Sequence, residues 1–336
     1  MGGKAIKNTP VRRMTRDEYL VLENEVLTQL RKDFPDRSVE TIQAYRDKPD
    51  FGDMDVVIMS DNLTLDIPAY LTDTFQSKEV VPNGDVISFE YKEFQIDLIL
   101  TPEKYYRTSL NYFAWNDLGN LLGRVVHVHG RSKLGHKGLT FPFKSGDYLF
   151  EELDIERNWE VILPAFGFSY ERWKDGFDTP EDIFQYVVSS PYFNKDIYLL
   201  HNRNHKSRIR DAKRKTYSGF LDWLELQPEG SLPAFPYPED RYEMLPRLYE
   251  VLPGFKEKYL AAKARFDNHV TFQERFNGKY VANLTGLSGK PLGELMRNLR
   301  EQFPEPGGQR AFVLKTSDEE LKQWVMTSYE QVRKDS

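Results

Sequence analysis

The segment Gly52-Asp53-Met54-Asp55-Val56-Val57-Ile58 constrains the fold more than any other stretch of the 336 residues. Residues i and i+2 of a strand point to the same face, so Asp53 and Asp55 stand side by side. The apolar run that follows must be buried, which leaves the two acids at the rim of a core. Gly52 lets the backbone turn just before them. Two hard oxygen ligands placed in this way suit Mg²⁺, which takes carboxylates on one side and substrate phosphates on the other. A third acid stands in Phe94-Gln95-Ile96-Asp97-Leu98-Ile99-Leu100, where a carboxylate is costly unless it is paired or bound to metal. Asp53, Asp55 and Asp97 are therefore the candidate catalytic and metal residues, a set able to hold two Mg²⁺ ions, with Mn²⁺ as an alternative. The bland alternative has Asp53 capping a turn, Asp55 solvated at a strand end and Asp97 paired with a Lys or Arg.

The pattern around this segment predicts an α+β chain without βαβ alternation. A helix is expected over 15–33, with Thr15 and Glu18 at capping-box spacing and an apolar face of Tyr19, Leu20, Val21, Val26, Leu27 and Leu30. Strands are expected at 39–45, 54–59 and 85–100, the last broken near Tyr91-Lys92, followed by two helical pieces over 104–124. Residues 139–178 read as irregular. A helix with Pro180 in its first turn follows at 180–188, then a Pro-rich linker at 228–238, helices over 239–303 and a last helix at 316–333. The expected architecture is a mixed sheet flanked by helices, followed by a mainly helical C-terminal region. The expected domains are 1–106, 107–195 and 196–336.

Composition narrows the function classes. The chain has no Cys, which removes disulfides, thiolate zinc sites and thiol nucleophiles. No apolar stretch has the length of a membrane span, and the N-terminus has no signal-peptide core, so a soluble cytoplasmic protein is expected. Net charge is −6, yet residues 201–215 hold seven Lys and Arg against one Asp, a local +6. That run, with Lys206, Arg208, Arg210, Lys213 and Arg214, is a candidate nucleic-acid-binding segment. Tyr192, Phe193, Tyr198, Tyr217 and Trp223 flank it and would suit base stacking. The Gly- and Lys-rich stretch 130–138 adds Arg131, Lys133 and Lys137 as candidate backbone contacts. His127 and His129 alternate as on a strand but lack a carboxylate partner.

Several motifs taken together resemble family X DNA polymerases. Gln43-Ala44-Tyr45-Arg46, a spacer and Gly52-Asp53-Met54-Asp55 are similar to the palm signature of that family. Ile96-Asp97-Leu98-Ile99-Leu100-Thr101-Pro102 resembles its third-acid strand. Tyr112-Phe113 resembles the pair that meets the nucleotide sugar, and Asp117, Asn120 and Arg124 keep the spacing of residues lying against the nascent base pair. Arg13, ahead of Thr15-Arg16-Asp17-Glu18, resembles an arginine that touches the triphosphate. The likeness covers about residues 12–190. It implies a nucleotidyltransferase palm and a thumb, with nucleoside triphosphates and nucleic acid as partners, DNA above RNA. It also implies a nucleotide site of Arg13, Gln43, Arg46, Gly52, Tyr112, Phe113, Asp117 and Asn120, with Arg124 toward the nucleic acid.

The chain departs from the family at several points. Ile42-Gln43 stands where a small residue and Ser are usual, Arg46 is followed by Asp47-Lys48, and Ala114-Trp115 replaces a Gly-containing pair. Twelve residues precede Arg13, so the family's lyase domain is not expected. Residues 276–303, with Gly286-Leu287-Ser288-Gly289-Lys290-Pro291-Leu292-Gly293, are similar to a C-terminal element of bacterial CCA-adding enzymes, which favours an RNA 3′ end. The implied reaction is two-metal nucleotidyl transfer to a nucleic-acid 3′-hydroxyl with release of pyrophosphate. The alternatives are tRNA 3′-end addition and a catalytically silent nucleic-acid-binding module.

Overall fold

Thr15 closes the first helix in a reciprocal capping box. Its hydroxyl accepts from the Glu18 amide at 3.4 Å, while the Glu18 carboxylate accepts from the Thr15 amide at 2.8 Å. In this computed structural model, which describes residues 5–334, Met14–Thr15 is β1 and the helix is α1, Arg16–Asp33. Tyr19, Leu22, Val26 and Leu30 form its buried face. Leu20 and Val21 do not belong to that face as expected; they are 45% and 71% exposed. Their positions lie one and two residues past Tyr19, about 100° and 200° round the helix.

The sheet of the first unit comes next. It uses β2 (Val39–Thr41), β4 (Asp53–Met59), β5 (Val80–Asn83), β6 (Val86–Tyr91) and β7 (Phe94–Thr101) in the order β2-β4-β7-β6-β5. The short β3 (Asp50–Phe51) pairs with β1, and α2 (Ile67–Phe75) lies between β4 and β5. Only β4 and β7 run parallel; the other pairs are antiparallel. Expected strand 85–100 is indeed a hairpin, and its turn residues Lys92 and Glu93 both have positive φ. Alternation along β4 sorts the residues. Met54, Val56 and Ile58 join Ile96, Leu98 and the α1 and α2 residues in one core. Val57 faces the other way, against Tyr106 and Leu110 of α3 (Glu103–Phe113). Asp53 and Asp55 share the Val57 side. The α+β class with a mixed sheet and helical C-terminal region is as expected from the sequence.

The break between α3 and α4 (Leu118–Val128) is made by Trp115 and Asn116, both left-handed, at φ 60° and 61°. His127 and His129 therefore lie at a helix end, not on a strand. The stretch 139–178 is not irregular: it contains most of β9 (Gly138–Ser145), with β8 (Lys133–Gly135) before it, then β10 (Tyr148–Glu156), α5 (Trp159–Ala165) and α6 (Tyr170–Asp175). Its aromatic density hid an alternation, since Leu139, Phe141 and Phe143 are all buried. Then come α7 (Pro180–Val188), α8 (His205–Ala212), α9 (Lys215–Glu225) and α10 (Leu245–Val251).

The chain forms two compact units. One holds the residues up to Pro142 and Asp154–Lys256; the other holds Phe143–Leu153 and the residues from Glu257 on. The second contains most of α11 (Phe255–Arg275), then α12 (Gly278–Thr285), α13 (Gly289–Glu301), α14 (Gly308–Lys315) and α15 (Asp318–Lys334). Phe276, Val281, Leu295, Leu299, Val313, Leu321 and Val325 form its core. Arg275 ties α11 to the end of α14, donating to the carbonyls of Val313 and Thr316 at 2.5 and 2.6 Å. No helix among the described residues is long and apolar enough to cross a membrane.

Candidate metal and nucleotide site

The parallel register of β4 and β7 sets Asp55 opposite Asp97 and Asp53 opposite Gln95. Asp97 also faces Ser88 across β6. The three aspartates thus meet on one face of the central strands, each offering a carboxylate oxygen, and these oxygens all lie within 4.8 Å of one another. Asp97 is 9% exposed. Its proton affinity is raised, chiefly by burial; Ser88 and Gln95 oppose the rise and Asp53 adds to it. Asp55 is pushed up to about 7, first by burial and then by the charges of Asp53 and Asp97. Three acids this close, with the proton affinities of Asp55 and Asp97 raised, are what a site for a multivalent cation costs when no cation neutralises it. The all-oxygen donor set fits Mg²⁺ or Mn²⁺.

Two neighbours of the acids carried no signal in the motif reading. Gln95 sits two residues before Asp97 on the same face and donates through Nε2 to both carboxylate oxygens, at 2.9 and 3.1 Å. Its own Oε1 accepts from the amides of Ala5 and Ile6. The i, i+2 spacing was the clue. Lys48 lies on the loop before β3, its ammonium 4.3 Å from the centroid of the Phe51 ring. Burial lowers its pKa, and the charges of Asp53 and Asp55 pull it back up.

The other expected nucleotide residues surround this face. Arg13 donates through Nε to Asp50 at 2.7 Å. Its Nη1 fills the space beside Gly52, where an added Cβ would stand 2.8 Å away. Arg46 is committed elsewhere: it pairs with Asp178 at 2.6 Å and donates to the carbonyl of Asp175. Gln43 contributes its backbone, its carbonyl accepting from the Trp115 amide at 2.7 Å. Tyr112 and Phe113 meet edge to face at 5.3 Å. Tyr112 lies tight on Gly119, where an added Cβ would stand 2.2 Å from the Tyr112 carbonyl and 2.8 Å from its ring.

The structure joins the basic run to this region in a way its sequence did not suggest. Arg214 pairs with Asp117, and Arg210 reaches Asn120 Oδ1 at 3.4 Å. Trp115 Nε1, Asn116 Oδ1, Asn120 Nδ2 and Arg214 Nε are buried there without a partner.

Three expectations need correction. Arg124 is 8% exposed and donates to the Ile197 carbonyl at 3.1 Å, so it cannot lie against nucleic acid. The run 201–215 is not one solvated cationic face. Buried Asp211 takes both Arg203, at 2.7 Å, and Arg210, at 2.9 Å; the Arg203 side chain is buried with it, while Lys206, Arg208, Arg210, Lys213 and Lys215 are turned to solvent. The flanking rings Phe193, Tyr198 and Tyr217 are fully buried and pack in the core, with Phe193 stacked on Tyr198 at 5.5 Å. Hydrophobic burial outbids base stacking for them. Arg131, Lys133 and Lys137 are exposed, with Lys137 5.8 Å from the Tyr105 ring. His129 is fully buried, and burial lowers its pKa to about 4, so its imidazole is neutral.

No protein-family model matches this chain, and a search of curated proteins finds no match.

Proposed function

We propose that the chain is a metal-dependent nucleotidyltransferase that joins a nucleotide from a nucleoside triphosphate to the 3′-hydroxyl of a nucleic acid and releases pyrophosphate. The single observation that supports this most is the parallel pairing of β4 with β7, which gathers Asp53, Asp55 and Asp97 at one edge of an otherwise apolar core. Asp53 and Asp55 would hold the metal from β4, and Asp97 from β7. When bound, Mg²⁺ supplies Lewis-acid activation and neutralises phosphate charge.

The chain's own residues account for the rest. A carboxylate oxygen of Asp97, made more basic by burial, takes the proton of the attacking hydroxyl. Gln95 and Ser88 hold that carboxylate in one orientation. Lys48 and Arg13 place positive charge beside the acids, where the departing pyrophosphate gathers negative charge. Tyr112, packed close on Gly119, offers a ring to the nucleotide sugar. In this reading Arg46 fastens the loop before β4 to residues 175–178 and does not contact phosphate.

A 3′-end extension panel tests the proposal. Purified protein with Mg²⁺ is offered primer–template DNA, single-stranded DNA, RNA and tRNA lacking its 3′ end, each with dNTPs or NTPs, and Asp97→Ala is the control. Extension on any acceptor, lost in Asp97→Ala, supports transfer, and the acceptor used separates DNA from RNA chemistry. Wild-type protein that extends none of them refutes it.

A further inference from the structure

A second cationic group lies at the far end of α4, away from the aspartates. After the helix the chain turns through Gly130 and Arg131, both at positive φ, 65° and 63°. The Gly130 amide donates to the Arg241 carbonyl at 2.9 Å, and Leu245 packs so closely on Gly130 that an added Cβ would stand 2.4 Å from its side chain. These contacts hold the turn and residues 241–245 back to back and bring Arg131 and Arg241 together. The Arg131 guanidinium lies over the Tyr242 ring, 5.3 Å from its centroid, and that ring is 40% exposed.

Acids flank the group in the chain at Glu239, Asp240 and Glu243, and the Asp240 carboxylate accepts from the Tyr242 amide at 2.9 Å. Arg241 is half-buried; burial disfavours its charged form, and Arg131 and Arg203 disfavour it further. His127 feels the same neighbours, its pKa lowered first by burial and then by Arg241 and Arg131. Asp211, the carboxylate that pairs with the neighbouring Arg203, is shared with Arg210. Among the described residues, neither Arg131 nor Arg241 has a carboxylate within ion-pair distance. Like charges held near one another without an ion pair are stabilised when an external anion comes between them.

We infer that Arg131, Arg241 and Tyr242 form a binding site for the sugar–phosphate backbone of a nucleic-acid strand, separate from the metal site. Guanidinium forks match phosphate oxygens, and an exposed tyrosine beside them offers a base a stacking surface. That the strand is the acceptor rests on the nucleotidyl-transfer reading; the site itself does not.

The test is anisotropy of short fluorescein-labelled single-stranded DNA and RNA across a series of KCl concentrations. Wild type is compared with the double variant Arg131→Asn, Arg241→Gln and with Arg241→Lys. Asparagine tolerates the positive φ at 131. The double variant should bind about tenfold more weakly at about 0.15 M salt, with the slope of log K against log salt shallower by about 1.4, two phosphate contacts' worth for a single strand. Arg241→Lys keeps the charge and loses the fork, so it should bind between wild type and the double variant. Unchanged affinity and slope in the double variant overturn the site. An equal loss in Arg241→Lys also overturns it, because that is the mark of a packing role. The two readings fail separately. Protein that binds through this patch yet extends no acceptor refutes transfer and keeps the site. Protein that extends acceptors while the double variant binds normally keeps transfer and refutes the site.

Discussion

On the nucleotidyl-transfer reading, replacing Asp55 with asparagine should stabilise the metal-free protein while abolishing turnover. Asp55 is held at about 7, against an ordinary value of 3.8, by burial and by the charges of Asp53 and Asp97. Below about pH 3 the carboxyl is protonated in folded and unfolded chains alike and makes no difference. As pH rises from there to about 7, the unfolded chain gives up this proton while the folded chain retains it, so the native state loses stability; above 7 the full penalty stands. The interval is worth up to about 4 kcal/mol at pH 8 and roughly 1–2 kcal/mol at pH 5. Asparagine has nearly the same shape as aspartate and no charge, so the variant escapes the penalty. Urea unfolding in EDTA, at pH 5 and pH 8, measures the difference directly. The gain should be larger at pH 8, and Mg²⁺ should narrow it by stabilising wild type and not the variant, by roughly 1–2 kcal/mol at ten times the dissociation constant. An Asp55→Asn protein that is no more stable than wild type at pH 8, or whose gain is the same at both pH values, would refute the crowding of the three acids.

Other substitutions probe the supports of the site. Gln95→Leu removes both hydrogen bonds to Asp97 and, on the nucleotidyl-transfer reading, should lower kcat by about 10–100-fold while leaving nucleotide KM nearly unchanged, as steady-state kinetics would show. Gly119→Ala forces a Cβ to within 2.2 Å of the Tyr112 carbonyl, so denaturant unfolding should register a loss of about 3 kcal/mol or more. Asp211→Asn leaves Arg203, whose side chain is 6% exposed, without its counter-charge, and a loss of about 3–5 kcal/mol is expected in the same assay.

The acids were legible in the sequence because their signal is local. A Gly, two Asp at strand spacing and an apolar continuation can be read from seven residues, and Asp97 is conspicuous as one acid in an apolar strand. The α1 capping box, the Tyr91-Lys92 hairpin break and the Pro180 helix start are short-range as well, and each formed where expected. The misreadings concern residues whose role depends on what approaches from far along the chain. Leu20 and Val21 are as apolar as Leu22, and only the position of the sheet beneath α1 decides which of them is buried.

The basic run makes the same point for charge. Counting gave +6, and nothing local distinguishes Arg208 from Arg210 or Arg214. Tertiary packing brings α8 and α9 against α4, so that Asp117 and Asn120 claim Arg214 and Arg210, and Asp211 pairs with Arg203 inside the fold. The same packing places Arg131, Arg203 and Arg241, drawn from three distant segments, in one another's fields. By itself the sequence determined which residues could carry metal-ion chemistry, because hard oxygen donors on a strand are a property of residue type and spacing. Which cations remain available to a ligand was decided only by the tertiary structure, because Coulomb energy depends on distance in space and on burial, and neither is written in the order of the residues.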